Sequence, residues 1–284
     1  MGRKVPPIAV VQRELRIVAR LTQPALRRCV IDRASRNAGL HAMVLGLLAW
    51  ALAEALCVAE ACRSEAPQGT SPNVRSMLES LITILYLADP SVTQRERRRR
   101  LDRYYRGVRR EQVKLRSALD LYPAMKARLI KDSILIDREK TEYDRIEASL
   151  PKAEKLGGGH WSGLPHGLQS LAEAVDLGSD YALQYRLHSG ATHANRPWDQ
   201  VPFRADRSSV IPTLAANRAA GVPLSFDALR YLAWCLAAAH DCGALALTSS
   251  EQRALGQRRH YLQPIEVLFA KGIVGSGPIT TPTP

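Results

Sequence analysis

The sequence predicts an all-α protein, a helical bundle that carries a long basic helical hairpin. Three observations predict it. Apolar residues recur at spacings of three, four and seven through most of the chain, the period of helices packed on one face. No segment sustains the period-two alternation of a half-buried strand. Ser, Asp and Pro stand where helix starts and stops are needed. The 284 residues, 46% hydrophobic and 24% charged, suffice for a domain with a sizeable core. We expect one all-α domain over residues 1–270 and a Gly/Pro/Thr-rich flexible tail over residues 271–284.

Taken in order, the first helix spans about Ile8 to Leu21, and Pro24 starts the next. A long apolar helix follows from about Leu40 to Arg63 and ends in the Pro/Gly/Ser/Thr-rich stretch Ser64–Ser71. Ala42 to Ala53 is uninterrupted and apolar, but Glu54 and Glu60 break the run before the roughly 20 apolar residues a membrane span needs. We therefore expect no membrane insertion and a helix buried on most faces inside the bundle.

Ser71 caps the next helix with Pro72 in its first turn, and Asp89-Pro90 ends it near Ala88. Ser91 with Gln94 reads as a capping box for the helix after it. The apolar stripe of that helix is Leu101, Tyr105, Val108, Leu115 and Leu119. Pro123 opens a charged partner helix running to about Ser149, with Leu129, Ile130, Ile134, Ile136, Tyr143 and Ile146 as its stripe. Together these give the protruding basic hairpin, residues 91–150. Gly157-Gly158-Gly159 then marks a hinge, lacking the spacing of a phosphate loop.

Residues 160–248 carry the later helices. Trp161, Leu164, Leu168, Leu171 and Ala174 begin one stripe, and Ser179 caps a helix from Tyr181 to about His193. An irregular stretch with Pro197, Pro202, Pro212 and Pro223 follows, and Ser225 caps the last long helix, from about Phe226 to Leu247.

The formal charge of +13 favours polyanionic partners such as RNA, DNA or anionic lipid. Its densest source is the run Arg97, Arg98, Arg99, Arg100, Arg103, Arg106 and Arg110, to which Arg95 and Arg109 also belong. A solvent-facing helix of this kind binds phosphates without sequence preference, and Tyr104 or Tyr105 can stack on bases. The bland alternative is a solvated face partly neutralised by Glu96, Asp102 and Glu111. Five cysteines with no CxxC spacing imply reduced thiols in a cytoplasmic compartment, and the basic start leads into VQRELR rather than a secretory signal core. Cys57 and Cys62 read as core residues. No His or Cys spacing supports a metal site, and no cofactor is implied.

The constellation with chemical potential is Tyr185, Arg186, Ser189 and His193 on the Tyr181 helix. At about 100° per residue, Arg186 and His193 fall within about 20° of one face, two turns apart. A guanidinium there can hold a phosphate and an imidazole can move a proton, which is the equipment for metal-free phosphodiester cleavage. Tyr185 or Ser189 would orient the phosphate. The same residues can instead form a buried polar ladder between helices. Arg75 and Glu79, one turn apart on an apolar helix, form either a polar partner for that face or an ion pair fixing helix register.

The stretches VRSMLESLITILYLADP, Val74 to Pro90, and HWSGLPHGLQSLAEAVDLGSDYALQYRLHSGATHA, His160 to Ala194, resemble the bacterial domain-of-unknown-function family 5677. That family's pattern of a Trp, an apolar helix and a Tyr-x3-Ser-x3-His helix corresponds to Trp161 and to Tyr185, Ser189 and His193. Its helical layout is similar to that of the HEPN superfamily, many of whose members are metal-independent ribonucleases of toxin and defence systems, usually active as dimers. The resemblance implies Arg186 and His193 as catalytic residues, RNA as partner, and a homodimer. HEPN nucleases often place Asn, Asp or His directly after the arginine, where this chain has Leu187. The leading expectation is an RNA-directed, HEPN-like protein, a metal-independent endoribonuclease of a stress or phage-defence system. The alternative is a non-catalytic helical module that binds RNA or protein, and a third is a basic protein of the membrane surface.

Overall fold

The computed structural model describes residues 8–62, 67–119, 130–152, 154–156, 159–185, 203–205, 210–212 and 221–258. The chain is all-α, as expected. It divides into two compact units where the sequence pointed to one domain. The first comprises Met1–Ala88 and Ala172–Pro284, and the second Asp89–Leu171.

In the first unit, α1 spans Ile8–Arg28 as one helix, with Pro24 inside it. Val11, Leu15, Val18, Thr22 and Ala25 recur at four and three and are buried. Pro24 is exposed and fails to break the helix, because Ala25 packs directly beyond it. The buried Thr22 hydroxyl donates back to the Val18 carbonyl at 2.8 Å.

Helix α2 covers Ala38–Ala61. Leu40, Val44, Leu48, Ala51, Leu52, Ala55 and Val58 are buried, each large side chain contributing about 1.5–3 kcal/mol. The opposite face is open: Ala42, Gly46, Ala49, Trp50, Ala53, Leu56 and Cys57 are all exposed. The helix is therefore not buried on most faces, and Cys57 is not a core residue, whereas Cys62 is buried. Among the described residues, α2 is the one helix long and apolar enough to cross a membrane, with mean hydropathy 2.1.

A 3₁₀ turn, Pro67–Thr70, leads into α3, Ser71–Ala88. The sequence placed both of its ends within two residues. The last long helix spans Gly221–Asp241. It begins ahead of Ser225, whose side chain is fully buried. This helix packs against α1, α2 and α3, and α2 also packs against α1 and α3, so these four helices enclose the core.

A short helix the sequence reading missed, Ser249–Gly256, follows it. Thr248 accepts from the Glu251 N–H and Glu251 returns a bond to the Thr248 N–H, a complete capping box. Two ion pairs tie this segment to α1: Arg28 Nη2 to Glu251 at 2.6 Å and Arg258 Nε to Glu14 at 2.7 Å. Phe203–Ala205 and Val210–Pro212 pair antiparallel, a small hairpin inside the stretch read as irregular.

In the second unit, α4 spans Gln94–Leu119 and α5 spans Ile130–Ser149. Thr93, not Ser91, caps α4, accepting from the Glu96 N–H at 3.2 Å. Ser91 instead donates its N–H and hydroxyl to Asp89 Oδ1, at 2.9 and 2.6 Å. The helices run antiparallel, with Arg106 donating to Glu147 at 2.7 Å and Arg109 acting on Glu142 toward their other ends.

The packed face of α4 differs from the predicted stripe. Tyr105 and Val108 are 39% and 40% exposed, while Arg103 and Gly107 are buried. The cause is the turn-rich segment 159–167, which lies against α4. A Cβ on Gly107 would stand 2.5 Å from Trp161 Cβ, so only glycine admits this approach. Trp161 meets Tyr104 edge-on, 4.8 Å between centroids. Helix α6, Leu168–Ala174, follows.

Candidate functional site

The Tyr181–His193 segment does not start as a regular α-helix. A three-residue helical turn, Gly178–Asp180, passes into a π-helical turn, Tyr181–Tyr185. Leu177 rather than Ser179 holds the N-cap position, with no side-chain cap. Single π turns commonly mark functional sites in helices. Arg186, Ser189 and His193 lie outside the described residues, as does the Tyr185 side chain, and so do His188 and the tail.

What anchors the entry to this segment is a buried ion pair. Asp180 is 1% exposed and Arg230, from the Gly221–Asp241 helix, is 0% exposed, and Arg230 Nη2 donates to Asp180 Oδ1. Arg230 also lies over the Tyr231 ring at 5.3 Å and the Trp234 ring at 5.7 Å. Asp227, one turn before Tyr231, is 2% exposed. Burial, with Asp227 adding to it, drives the Tyr231 phenol well above its ordinary range, so it stays protonated. Arg230 Nε and Nη1 and the Tyr231 hydroxyl find no partner among the described residues. Arg230 is thus held by one strong charge-assisted bond and by aromatic faces. Sequence reasoning missed this cluster. Its signal was Asp227 and Arg230 standing in the otherwise apolar run Phe226–Ala239.

On α3, Arg75 Nε and Glu79 form the predicted pair at 3.0 Å, with side chains 22% and 39% exposed. Helix α3 packs against the Tyr181–Tyr185 turn. The pair therefore sits on an element that touches the start of the Tyr185 segment, as a polar partner of that segment requires. Glu79 also fixes α3 itself, since the Thr83 hydroxyl donates to its carbonyl at 2.8 Å.

The α4 arginines divide into three groups. Arg103 is 7% exposed; it donates to the Trp161 carbonyl at 3.1 Å and the Glu154 carbonyl at 3.5 Å. It serves the fold, which corrects its assignment to a solvent-facing basic stripe. Arg106 joins Glu147 and the Glu154 carbonyl, and Arg100 joins Asp89 and Glu96. Arg97 donates to the Asp89 carbonyl at 2.8 Å, and Arg110 lies 3.5 Å from Glu111. Arg95, Arg98 and Arg99 are exposed, with Arg99 bonded to Glu96. The Arg99 bond, with Arg100 assisting, holds the Glu96 carboxyl below its ordinary range. For Asp89, burial works upward, but Ser91 and Arg100 outweigh it and the net shift is downward.

Between α4 and the end of α5 lies a cleft of about 410 Å³ lined by Arg99, Asp102, Tyr105, Arg106, Arg109 and Ile146, among others. It presents guanidinium groups beside an exposed phenol ring. Nearby, His160 Nδ1 lies 2.9 Å from the Ser162 hydroxyl, and burial followed by the Arg110 charge lowers its pKa, keeping the ring neutral. No cluster of His, Cys, Asp and Glu able to hold a metal occurs among the described residues.

Fold and sites together define a predominantly helical protein whose arginine-rich helical pair falls, in sequence, between α3 and the Gly221–Asp241 helix. Its lineage is given by a family model that matches residues 41–198, described as a family of unknown function (DUF5677). The chain belongs to that family. Comparison with curated proteins and with solved structures gives no significant match.

Proposed function

We propose that this protein acts on RNA as a HEPN-like, metal-independent endoribonuclease. The observation that carries the RNA reading is the α4 surface. That helix has eleven basic residues against three acidic ones. Exposed Arg95 and Arg98 and the Arg99–Arg109 cleft with Tyr105 at its edge offer phosphate contacts next to a stacking ring. The chemistry rests on the resemblance. His193 takes the proton from a ribose 2′-hydroxyl, that oxygen attacks phosphorus as the bond to the 5′-oxygen breaks, and the imidazolium so formed returns its proton, directly or through water, to the leaving 5′-oxygen, giving a 2′,3′-cyclic phosphate and a 5′-hydroxyl. Arg186 holds the phosphate through two donors.

The test is cleavage of single-stranded RNA in EDTA, with binding measured in parallel. His193→Ala is expected to retain the melting curve and RNA affinity and to lose cleavage. Arg98→Glu with Arg109→Glu is expected to weaken binding and flatten its salt dependence. Equal cleavage by His193→Ala ends the nuclease reading, and salt-insensitive binding ends the RNA reading.

A second reading has its own support. Arg100, Arg103 and Arg106 are engaged within the unit, and the entry to the Tyr185 segment is anchored by buried Asp180 and Arg230. Under it the chain is a non-catalytic module in which Tyr185, Ser189 and His193 are architectural. Loss of melting temperature in Ser189→Ala and His193→Ala, with no activity in the parent, favours it.

A further inference from the structure

The cleft between α4 and the end of α5 is more particular than a basic surface. On α4, Tyr105, Arg109, Asp102 and Arg106 fall in that angular order within a sector of about 100°, at about 100° per residue. The facing side supplies Ile146 and Leu150, one turn apart and half-buried. The Tyr105 ring is 39% exposed. An aromatic wall and an aliphatic wall make a slot for a flat ring. Its volume of about 410 Å³ lies in the range of small-ligand pockets and suits one nucleotide rather than a duplex.

Asp102 is the residue that phosphate binding leaves unused. A carboxylate repels phosphate, yet this one stands among guanidinium groups. Its neighbours at helical spacing are committed elsewhere. Arg99 holds Glu96 through two bonds, and Arg106 holds Glu147 at 2.7 Å and the Glu154 carbonyl at 3.1 Å. Asp102 is exposed, and its carboxylate joins no ion pair or hydrogen bond among the described residues. An ionised carboxylate only accepts. The cleft therefore offers a pair of acceptor oxygens beside a stacking ring.

We infer that this cleft takes a guanine base of single-stranded RNA, stacked on Tyr105 with Asp102 accepting from its Watson–Crick edge. Among the four bases only guanine sets two adjacent donors on that edge, N1–H and the N2 amino group, to match both carboxylate oxygens. Adenine and cytosine place an acceptor nitrogen beside their amino donor. Uracil flanks its N3–H with two carbonyls. Each of these sets a lone pair against the carboxylate and leaves one of its oxygens unpaired. Arg109, one turn beyond Tyr105, then meets the adjoining phosphate. The inference rests on the RNA reading and adds which base the surface selects, with Asp102 as the specificity-determining residue. It does not depend on cleavage by Arg186 and His193.

Fluorescence anisotropy with short labelled RNAs tests it, using oligouridine and the same strand with one central guanosine, adenosine, cytidine or inosine. The guanosine strand is expected to bind about tenfold tighter than oligouridine, within the range of a bidentate base contact. Inosine keeps N1–H and lacks the N2 amino group, and is expected to lose most of that advantage with the protein unchanged. Asp102→Asn is expected to keep the melting curve and bring the guanosine and uridine strands within about twofold of each other. Tyr105→Ala is expected to weaken every strand. Salt-sensitive binding of all strands with equal affinity overturns this inference and leaves the RNA reading in place, whereas no binding to any strand at low salt ends both. A guanosine preference that survives Asp102→Asn also overturns it, and loss of that preference in Glu154→Gln would move the contact to the other carboxylate of the cleft. GMP that displaces the guanosine strand at equal concentration would assign the cleft to a free nucleotide and overturn the strand as its source.

Discussion

Two arginine–carboxylate pairs in this protein differ in almost everything except chemistry. Asp180 and Arg230 meet inside the first unit with 1% and 0% of their side chains exposed. Glu142 and Arg145 meet on α5 with 41% and 72% exposed. In water the second pair gains little, because solvent competes for both charges and ordering two long side chains costs entropy. In the apolar interior the first pair has no solvent alternative, and each ion is costly without the other. The same contact thus decorates one surface and determines whether the other region folds. Burial sets the stakes, not the bond.

The largest expected effect is the loss of one buried partner. Arg230→Ala should cost about 3–5 kcal/mol in urea unfolding, because Asp180 is left charged and buried. Replacing both, Asp180→Leu with Arg230→Met, should recover most of that loss. If the double variant is as unstable as the single, the pair has an importance beyond its own charges.

Next comes a contrast of two glycines. Gly107→Ala should destabilise the second unit by about 1–3 kcal/mol, since its Cβ falls 2.5 Å from Trp161 Cβ and the tryptophan must shift. Trp161 fluorescence should report that movement. Gly46→Ala, with nothing within 4 Å, should instead stabilise by about 0.5–1 kcal/mol through helix propensity.

A smaller effect concerns Thr248 and Glu251. Thr248→Ala removes a helix cap and should cost about 1 kcal/mol. The Glu251 carboxyl is held below its ordinary value chiefly by the Arg28 bond; burial works upward, and the two Thr248 bonds add to the downward side, so the net shift is downward. A lowered folded pKa means full stabilisation above the unfolded value, about 4.3, and loss as pH falls through the folded value. Acid unfolding from pH 6 to pH 3 should therefore be shallower in Glu251→Gln than in wild type. Smallest of all, Glu142→Gln should leave the urea midpoint where it is, although Arg145 lowers the Glu142 pKa.

Local signals were legible in the sequence where local physics decides. Helix α3 follows from Ser71-Pro72 at its start and Asp89-Pro90 at its end, and the Arg75–Glu79 pair follows from four-residue spacing. The α4 face did not follow. Periodicity marked Leu101, Tyr105 and Val108 as apolar, but the side that packs is chosen by Trp161, over 50 positions away, which needs Gly107 and Arg103. The same limit hid Asp180 and Arg230, a contact between residues 50 apart in sequence. The open face of α2 was hidden for another reason. Hydropathy reports what a residue prefers, and the seven exposed positions there are apolar like the buried ones, although mostly smaller: alanine, glycine and cysteine where the buried face has leucine and valine.

Arg103 and Arg106 bring one further consequence, for the order in which the second unit assembles. Both donate to the Glu154 carbonyl, and Arg103 also to that of Trp161, closing loops of 48 to 58 residues. Helical turns form in under a microsecond, whereas such long closures come late on the folding route. Contacts made after the barrier slow unfolding without hastening folding. Arg103→Ala should therefore leave the refolding limb of the chevron nearly unmoved and raise the unfolding limb, so that this guanidinium acts as a latch on the lifetime of the folded unit.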